Sequence, residues 1–405
     1  MTSTRRRNNE YVIFEVVSLL LFLNSMYPWL VWGGNLQRTT VILGASFSAL
    51  FFFMKRQWFN VTKFNQILCL FCTLFIFSSI LRGAIFGPII DFLVWLPLIF
   101  LKKELRCHLF TFITKWFGIL LGISIVFYLL WLITGFHLYS NTINWVDGRY
   151  SCTNYFFFLI PNSLESRFGI YRFQSIFMEP GHMTMGIIPL LIANKFNIKN
   201  KYVLILFIAE ILSFSLAGFI TMALGFVLLN LNRTNFKYFV TTSLALAMIF
   251  IIIENTQYGA TMDKVLWSRL QMTEQGTISG DNRSNKVLDK QYAQIIHSSQ
   301  KWFGSKDKDT TFVGAGYKVI ICEKGLIGTL LALLVYLTGL YTYKTYKIGV
   351  FTFIIILLLY QNSYPSWYCI FCSYVTGIAY INTSWGHLIK RKIKSSSSSS
   401  LKLRA

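Results

Sequence analysis

The chain contains 405 residues, of which 54% are hydrophobic, 17% are aromatic and only 13% are charged. A soluble globular domain does not need so much apolar sequence, so this composition excludes one and indicates a membrane protein with several spans. The formal net charge of +22 suggests nucleic-acid binding, but the basic residues lie in short connections between apolar segments, where they determine membrane topology. We therefore exclude a nucleic-acid partner and expect contact with anionic membrane lipids.

Apolar segments follow one another along the whole chain. They cover approximately residues 11–32, 39–54, 64–81, 84–101, 116–134, 173–194, 202–214, 216–231, 238–254, 314–341, 348–364 and 366–389. We interpret them as about 12 transmembrane helices of an all-α polytopic membrane protein. Lys and Arg are concentrated in alternate connections, which places both termini in the cytoplasm. The predicted organisation is a cytoplasmic basic leader over 1–10, one transmembrane domain over 11–389 and a cytoplasmic tail over 390–405.

The same alternation places two long loops on the outer side, at about 135–172 and about 255–313. The second loop keeps aromatic side chains, so we expect it to pack on the helix bundle. Cys152 is the only cysteine in an outer loop, and the odd total of seven cysteines argues against a disulfide framework. The five histidines show no ligand spacing, so we predict no metal site.

Two polar residues and two helix-breaking residues interrupt an apolar segment at Glu179, Pro180, Gly181 and His182. Pro180 removes a backbone donor and disfavours helix at Glu179, so a helix is expected to break there. A carboxylate at the edge of an apolar segment is costly to desolvate, which makes Glu179 a candidate functional group. The alternative is a solvated helix start at which Glu179 only favours the positive end of the helix dipole.

The apolar stretch over 202–230 is too long for one span that returns to the same side. A single helix of that length would measure about 43 Å, and basic residues at both ends place both ends in the cytoplasm. We predict a hairpin of two short helices that turns near Ser213 to Gly218 and carries Ser213, Ser215 and Glu210 toward the outer surface.

Asp91 is a further acidic residue inside an apolar segment. It either faces a pore as a functional group or pairs with a neighbouring basic or backbone group near the outer leaflet. Arg82, in the preceding short turn, is the candidate partner.

Four short motifs, taken in order, resemble those of the O-antigen polymerases of Gram-negative bacteria, often called Wzy. They are Phe-x-Glu-Pro-Gly at 177–181, Ser-Phe-Ser-Leu-Ala-Gly at 213–218, Phe-Val-Gly-Ala-Gly-Tyr at 312–317 and Glu-Lys-Gly-Leu-Ile-Gly at 323–328. The resemblance covers essentially residues 10–390, with about twelve spans and two outer loops. It implies a GT-C-like membrane glycosyltransferase of the bacterial inner membrane whose active site faces the periplasm.

Such an enzyme joins undecaprenyl-diphosphate-linked repeat units for lipopolysaccharide biosynthesis, moving the growing glycan onto the non-reducing end of a new unit. The resemblance implies a metal-independent transferase without a cofactor, and a chain-length regulator and a flippase of the same pathway as candidate partners. Some members carry an Arg, ten residues and a Gly in both outer loops. Arg269 and Gly280 fit this pattern, whereas the first outer loop has no such spacing.

The residues themselves suggest how such a substrate would be held. Guanidinium groups bind diphosphate oxygens in a bidentate geometry that Lys cannot match, so Arg172, Arg269 and Arg283 are the preferred donors. For each, the alternative is a solvated loop charge. Glu179 is the first candidate general base and His182 the second.

The remaining predicted substrate-binding residues come from the motifs and the loop pattern. They are Gly280, Ser213, Ser215 and Tyr317.

Two other functions remain open from the sequence. An O-antigen ligase shares the architecture and the lipid-linked donor but transfers the glycan to lipid A-core, and its expected His-to-Gly interval fits His297 only loosely. A lipid-linked oligosaccharide flippase or other transporter suits twelve spans, but such proteins usually have two related halves. This chain has unequal outer loops and no evident internal repeat.

Overall fold

A computed structural model describes residues 2–32, 35–81, 83, 86–144, 151–162, 171–230, 286–305, 316–361 and 368–383. The predicted apolar segment at 238–254 and the predicted tail at 390–405 lie outside these residues. The described chain is mostly helical. Its helices are α1 (Thr2–Asn24), α2 (Asn35–Met54), α3 (Lys63–Leu81), α4 (Phe86–Phe100), α5 (Lys103–Thr134), α6 (Pro180–Ala193), α7 (Lys201–Leu212), α8 (Leu216–Asn230), α9 (Lys286–Ile296), α10 (Gly316–Tyr343), α11 (Tyr346–Gln361) and α12 (368–383).

Within the described ranges, four helices are long and apolar enough to cross a membrane, namely α2, α3, α5 and α10. Helices α4, α6, α8 and α11 are also apolar but shorter. Many large apolar side chains on these helices are exposed, as expected for surfaces that face lipid. The protein is therefore a helical membrane protein. Helix α1 begins at Thr2, so the predicted basic leader continues directly into the first predicted span.

Two helices lie at the centre of the bundle. Helix α6 is buried at every position except His182, and nearly every residue of α12 is buried. A helix that is apolar on all sides is stable only when other helices surround it. Helix α6 packs against α7, α8 and α11, and α10 packs against α3 and α11.

The predicted span at 173–194 is partly wrong, because its helix begins only at Pro180. Pro180 occupies the first helical turn, and Glu179 before it is extended at φ −142° and ψ 151°. The 14 residues of α6 extend about 21 Å, less than the roughly 30 Å of a hydrocarbon core. The non-helical backbone before it is buried inside the protein over 173–177, where such backbone is tolerated at membrane depth.

A small antiparallel sheet forms within residues 135–172, the predicted first outer loop, and this sheet was not predicted. Helix α5 ends at Thr134, with Gly135 as a left-handed cap at φ 73°, and the sheet follows. Its strands, in spatial order, are β1 (Asn141–Asn144), β2 (Ser151–Asn154) and β3 (Leu159–Pro161). Strands of three or four residues are too short to produce a recognisable alternation in the sequence. Cys152 and Leu159 bury one side of the sheet against Trp32.

Within the predicted loop at about 255–313, the described helix α9 packs on the bundle. Helix α9 lies along the start of α10 and shares an apolar cluster with it. Asp289 of α9 accepts from the ammonium of Lys318 at 2.5 Å. The buried members of the cluster are Leu288, Ile295, Val319 and Cys322.

Helix α10 is kinked where this loop meets it. Gly325 has φ 68° and ψ −177°, a backbone conformation available almost only to glycine. The carbonyl of Trp302 accepts from the N–H of Ile327 at 3.1 Å, and Gly304, at φ 83°, lies against the backbone of Glu323. The predicted span at 314–341 is therefore broken near its middle by the incoming loop.

Candidate active site

The start of α6 carries the first candidate base. Glu179 is half-buried at the N-cap position, but its side chain makes no capping hydrogen bond. Its backbone carbonyl accepts from the N–H groups of His182 (3.1 Å) and Met183 (3.4 Å). The helix therefore begins through its backbone and Pro180, and the carboxylate is not used as a cap.

The segment before Glu179 is attached to the end of α7. The N–H of Phe173 donates to the carbonyl of Leu212 at 3.0 Å, and Nε of Arg172 donates to the carbonyl of Ser213 at 3.1 Å. Arg172 is half-buried. These two bonds position the guanidinium group of Arg172 at the α7–α8 turn. Arg172 precedes Glu179, the candidate base, by seven residues in a segment that is neither helix nor strand.

The same segment is attached on its other side to the end of α1. The N–H of Met178 donates to the carbonyl of Tyr27 at 3.1 Å, and Ile176 accepts from the N–H of Trp29 at 2.8 Å. The Tyr27 ring lies 5.6 Å from the ring of His182, centroid to centroid. His182, the second candidate base, thus lies against the segment that follows α1.

A fully buried carboxylate lies beside α6 on the side of the hairpin. Glu210 has no exposed surface, and the hydroxyl oxygen of Thr184, on α6, lies 3.0 and 3.1 Å from its two oxygens. The positive charge of Arg172 acts on this carboxylate as well. A buried charge without partners would strongly destabilise the fold. The Thr184 hydroxyl and the positive charge of Arg172 therefore compensate for the burial of Glu210.

The two short helices predicted over 202–230 are confirmed, with the turn between them at residues 213–215, and Ser213, Ser215 and Glu210 are buried there. Both predicted serines are bonded within that turn. Ser213 Oγ donates to the carbonyl of Glu210 (2.6 Å) and accepts from the N–H of Ser215 (3.1 Å). Ser215 Oγ in turn accepts from the N–H of Gly218 at 3.3 Å. The two hydroxyls shape the turn, and their contact with substrate stays a prediction.

Gly218 allows the hairpin to close over the carboxylate. A Cβ at this position would overlap Glu210 Oε1 and would lie 3.0 Å from Thr184 Oγ1. Gly218, the last residue of the Ser-Phe-Ser-Leu-Ala-Gly motif, therefore has to be glycine for the Glu210 carboxylate to fit beside it.

The negative charge of Glu179 also acts on Cys152, in strand β2. Burial raises the pKa of the Cys152 thiol to about 12, a hydrogen bond from Gln174 opposes the shift, and the negative charge of Glu179 adds to it. The candidate base therefore lies near strand β2, and the sheet forms part of its surroundings.

The other predicted residues are distributed differently. Tyr317 lies at the start of α10, where its ring is 6.3 Å from that of Tyr292 on α9. Arg269, Gly280 and Arg283 lie outside the described residues. Arg172 thus lies with Ser213 and Ser215 at the α7–α8 turn, and Glu179 and His182 lie at the start of α6, after the non-helical segment 173–178.

Sequence reasoning left Thr184 unnoticed and gave Glu210 no role. A lone acid inside an apolar hairpin is a signal for a functional or paired group, and that signal was available for Glu210. Thr184 had no such signal, since only the packing of α6 against α7 shows which α6 residue meets the carboxylate.

The basic residue that acts on Asp91 is Lys324, and the expected partner was Arg82. Asp91 is half-buried on α4, and the positive charge acting on it is that of Lys324 on α10, whereas Arg82 lies outside the described residues. Across the described part of the chain, no group of three or more His, Cys, Asp or Glu side chains is placed to hold a metal ion.

No family model, curated protein or solved structure matches this chain. The functional interpretation therefore depends on the chemistry of the site and on the motifs themselves.

Proposed function

We propose that the protein is an O-antigen polymerase, a metal-independent glycosyltransferase with a GT-C-like arrangement of about 12 spans. It acts in the bacterial inner membrane, and the end of the bundle that carries Glu179 faces the periplasm. One observation carries the proposal. An uncapped, half-buried carboxylate and a guanidinium group flank the same buried non-helical segment at one end of a helical membrane bundle.

The reaction assigns a different task to each of these two groups. The diphosphate of the growing undecaprenyl-linked glycan binds Arg172, whose planar guanidinium presents several donors to phosphate oxygens. A hydroxyl of the non-reducing sugar of a new unit attacks the anomeric carbon of that glycan. Its proton passes to Glu179, the bond between the anomeric carbon and the diphosphate oxygen breaks, and undecaprenyl diphosphate leaves with the electron pair.

The basic residues in alternate connections support the orientation, and the buried segment supports a water-poor site for the transfer. Glu210 and Thr184 hold α6 and the hairpin in register, so they position Arg172 through Ser213. A flippase and a chain-length regulator would supply the units and set the length of the product.

The test is deletion of the gene, followed by gel analysis of lipopolysaccharide. Loss of a polymerase leaves lipopolysaccharide with a single repeat unit, whereas loss of a ligase leaves bare core. The second arm uses purified protein in liposomes with the undecaprenyl-diphosphate-linked unit. Lengthened glycan supports the proposal, and movement of the unit across the bilayer without lengthening would identify a transporter.

A further inference from the structure

A groove of about 590 Å³ lies on the surface at the end of the bundle opposite Glu179. It is formed by the end of α8, the end of α10 and the start of α11. Helix α6, which starts after Glu179, ends at Ala193 beside α8, where the ring of Phe196 lies 5.5 Å from that of Phe226. The groove is therefore separate from the candidate active site.

One part of the groove is apolar. It is lined by Leu228 of α8, Leu340 of α10, and Gly349, Val350 and Phe353 of α11. Gly349 leaves space beside Leu340, because a Cβ on this glycine would lie 3.4 Å from Leu340 Cδ2, an ordinary van der Waals distance. The side chain of Phe353 is 45% exposed, so this part of the groove is open on the lipid-facing surface of the bundle.

The other part of the groove is polar and positively charged. Lys344, Thr345 and Tyr346 form it, where α10 ends and α11 begins. The Tyr346 hydroxyl donates to the carbonyl of Leu228, which attaches the end of α8 to this polar part. Lys344 is exposed, and within the described residues no carboxylate pairs with its ammonium group. An ammonium group next to hydroxyls is suited to a phosphate oxygen.

Two further lysines add positive charge at the same end of the bundle. Lys347 is the second residue of α11, and Lys195 follows α6. The pKa of Lys195 falls to about 8, because burial disfavours its ammonium form and the positive charge of Lys347 repels it. The two ammonium groups are therefore close enough to repel each other, and an anion bound beside them would reduce that repulsion.

An apolar groove that ends at lysines matches the structure of an anionic phospholipid. A hydrocarbon chain fits the apolar part, and the phosphate then lies at the lysines. A free phosphate ion would leave the apolar part empty, and the lysines would repel the quaternary ammonium group of a zwitterionic lipid. The predicted topology places this end in the cytoplasm, where the adjacent leaflet carries anionic lipids.

We propose that this groove binds one anionic phospholipid, with an acyl chain along Gly349 and Phe353 and the phosphate at Lys344. The site does not depend on the proposed glycosyltransferase function, because none of its residues takes part in that reaction. A lipid bound here contacts α8, α10 and α11 together, so it should stabilise the folded state.

Native mass spectrometry of the purified full-length protein measures this binding, with phosphatidylglycerol and phosphatidylcholine of identical acyl chains. The wild type should bind one phosphatidylglycerol about tenfold more tightly than phosphatidylcholine. Lys344→Gln should weaken phosphatidylglycerol binding about fivefold, the equivalent of about 1 kcal/mol for one lysine, and leave phosphatidylcholine binding unchanged. Lys115→Gln is the matched control, because Lys115 is also exposed but lies over the Trp116 ring, away from the groove.

Filling the groove tests the position of the acyl chain. Gly349→Leu places a side chain beside Leu340 and keeps every lysine, so it should weaken phosphatidylglycerol binding about tenfold. Gly349→Ala adds one methyl group at van der Waals distance and should bind within about twofold of wild type. If Gly349→Leu does not fold, folded Gly349→Cys is alkylated with N-ethylmaleimide instead, and wild type treated in the same way is its control.

Thermal unfolding distinguishes the lipid from other occupants. Phosphatidylglycerol should raise the melting temperature of the wild type more than that of Lys344→Gln, and inorganic phosphate should not raise it. Equal stabilisation by inorganic phosphate would identify a site for a free anion, and a dimer that excludes lipid would identify a second copy of the chain as the occupant. Either result overturns the proposal. So does equal binding of the two lipids by the wild type, an unchanged preference in Lys344→Gln, or unchanged binding after the groove is filled.

Discussion

Thr184 on α6 and Glu210 on α7 form a buried pair, in which the threonine hydroxyl oxygen lies 3.0 and 3.1 Å from the two carboxylate oxygens. Replacing Thr184 with Val keeps the shape of the side chain and removes the donor. We expect Thr184→Val to lower the free energy of unfolding by about 1–3 kcal/mol, because a buried carboxylate loses a partner. Thr184→Ser keeps a hydroxyl and should stay within about 1 kcal/mol of wild type. Thermal unfolding in detergent checks this, and equal stability of the two variants would contradict it.

Gly218 contacts the same pair, which gives a second prediction. Alanine normally stabilises a helix relative to glycine by about 1 kcal/mol, but a Cβ at Gly218 would overlap Glu210 Oε1. We expect Gly218→Ala to destabilise the protein by about 1–3 kcal/mol, since Glu210 can move away only by releasing Thr184. Gly87→Ala is the matched control, because a Cβ on Gly87 meets no atom within 4 Å.

A double-mutant cycle tests the mechanism of that effect. If the alanine methyl displaces the carboxylate from Thr184, adding Thr184→Val to Gly218→Ala should cost little further stability. If the stability losses of the two single variants add fully in the double variant, the alanine methyl destabilises the protein by some route other than the Thr184–Glu210 contact.

The predictable parts of this molecule are those that depend on local sequence. Pro180 and its neighbours located the start of α6, and the length of 202–230 located the hairpin turn, because chain geometry alone decides both. The break of α10 at Gly325 was not predictable, since it depends on the docking of a loop that lies about twenty residues earlier. The pairing of Thr184 with Glu210 depends in the same way on the register between two helices.

Glu179 is expected to matter for the reaction and little for stability. Its side chain makes no capping hydrogen bond, so Glu179→Gln should change the free energy of unfolding by less than about 1 kcal/mol, mainly through the helix dipole. It should nevertheless abolish long glycan chains on a lipopolysaccharide gel, at wild-type expression. Glu104→Gln, an exposed acid in the first turn of α5, is the matched control and should leave chain length unchanged. Normal chains in Glu179→Gln would remove this carboxylate from the mechanism.

Arg172 should not tolerate replacement by lysine. Its Nε is occupied by the carbonyl of Ser213, and the terminal nitrogens of the same planar group would meet the diphosphate. A lysine ammonium cannot hold that geometry, so Arg172→Lys should reduce elongation nearly as much as Arg172→Ala, by a factor on the order of 100. Arg56→Lys, at an exposed position between α2 and α3, should have no effect. Full activity of Arg172→Lys would mean that only the positive charge is needed.

Cys152 provides a test of the fold around Glu179 that depends on pH. Burial raises the pKa of its thiol to about 12, so at pH 8 roughly one thiol in ten thousand is the reactive thiolate. In a variant whose other cysteines are replaced by alanine, maleimide labelling of Cys152 should be very slow at pH 8 and about tenfold slower still at pH 7, because the thiolate fraction falls tenfold. Denaturation should restore the ordinary pKa near 8.5 and make labelling fast.

The control for this labelling is Thr142→Cys in a background without native cysteines, because Thr142 is exposed on β1 of the same sheet. This variant should react quickly at pH 8 with a membrane-impermeant maleimide added from the periplasmic side. Rapid labelling of native Cys152 at pH 8 would mean that the sheet does not cover this thiol. Labelling of Thr142→Cys from the cytoplasmic side alone would reverse the proposed orientation, and with it the side of the membrane on which the glycan is extended.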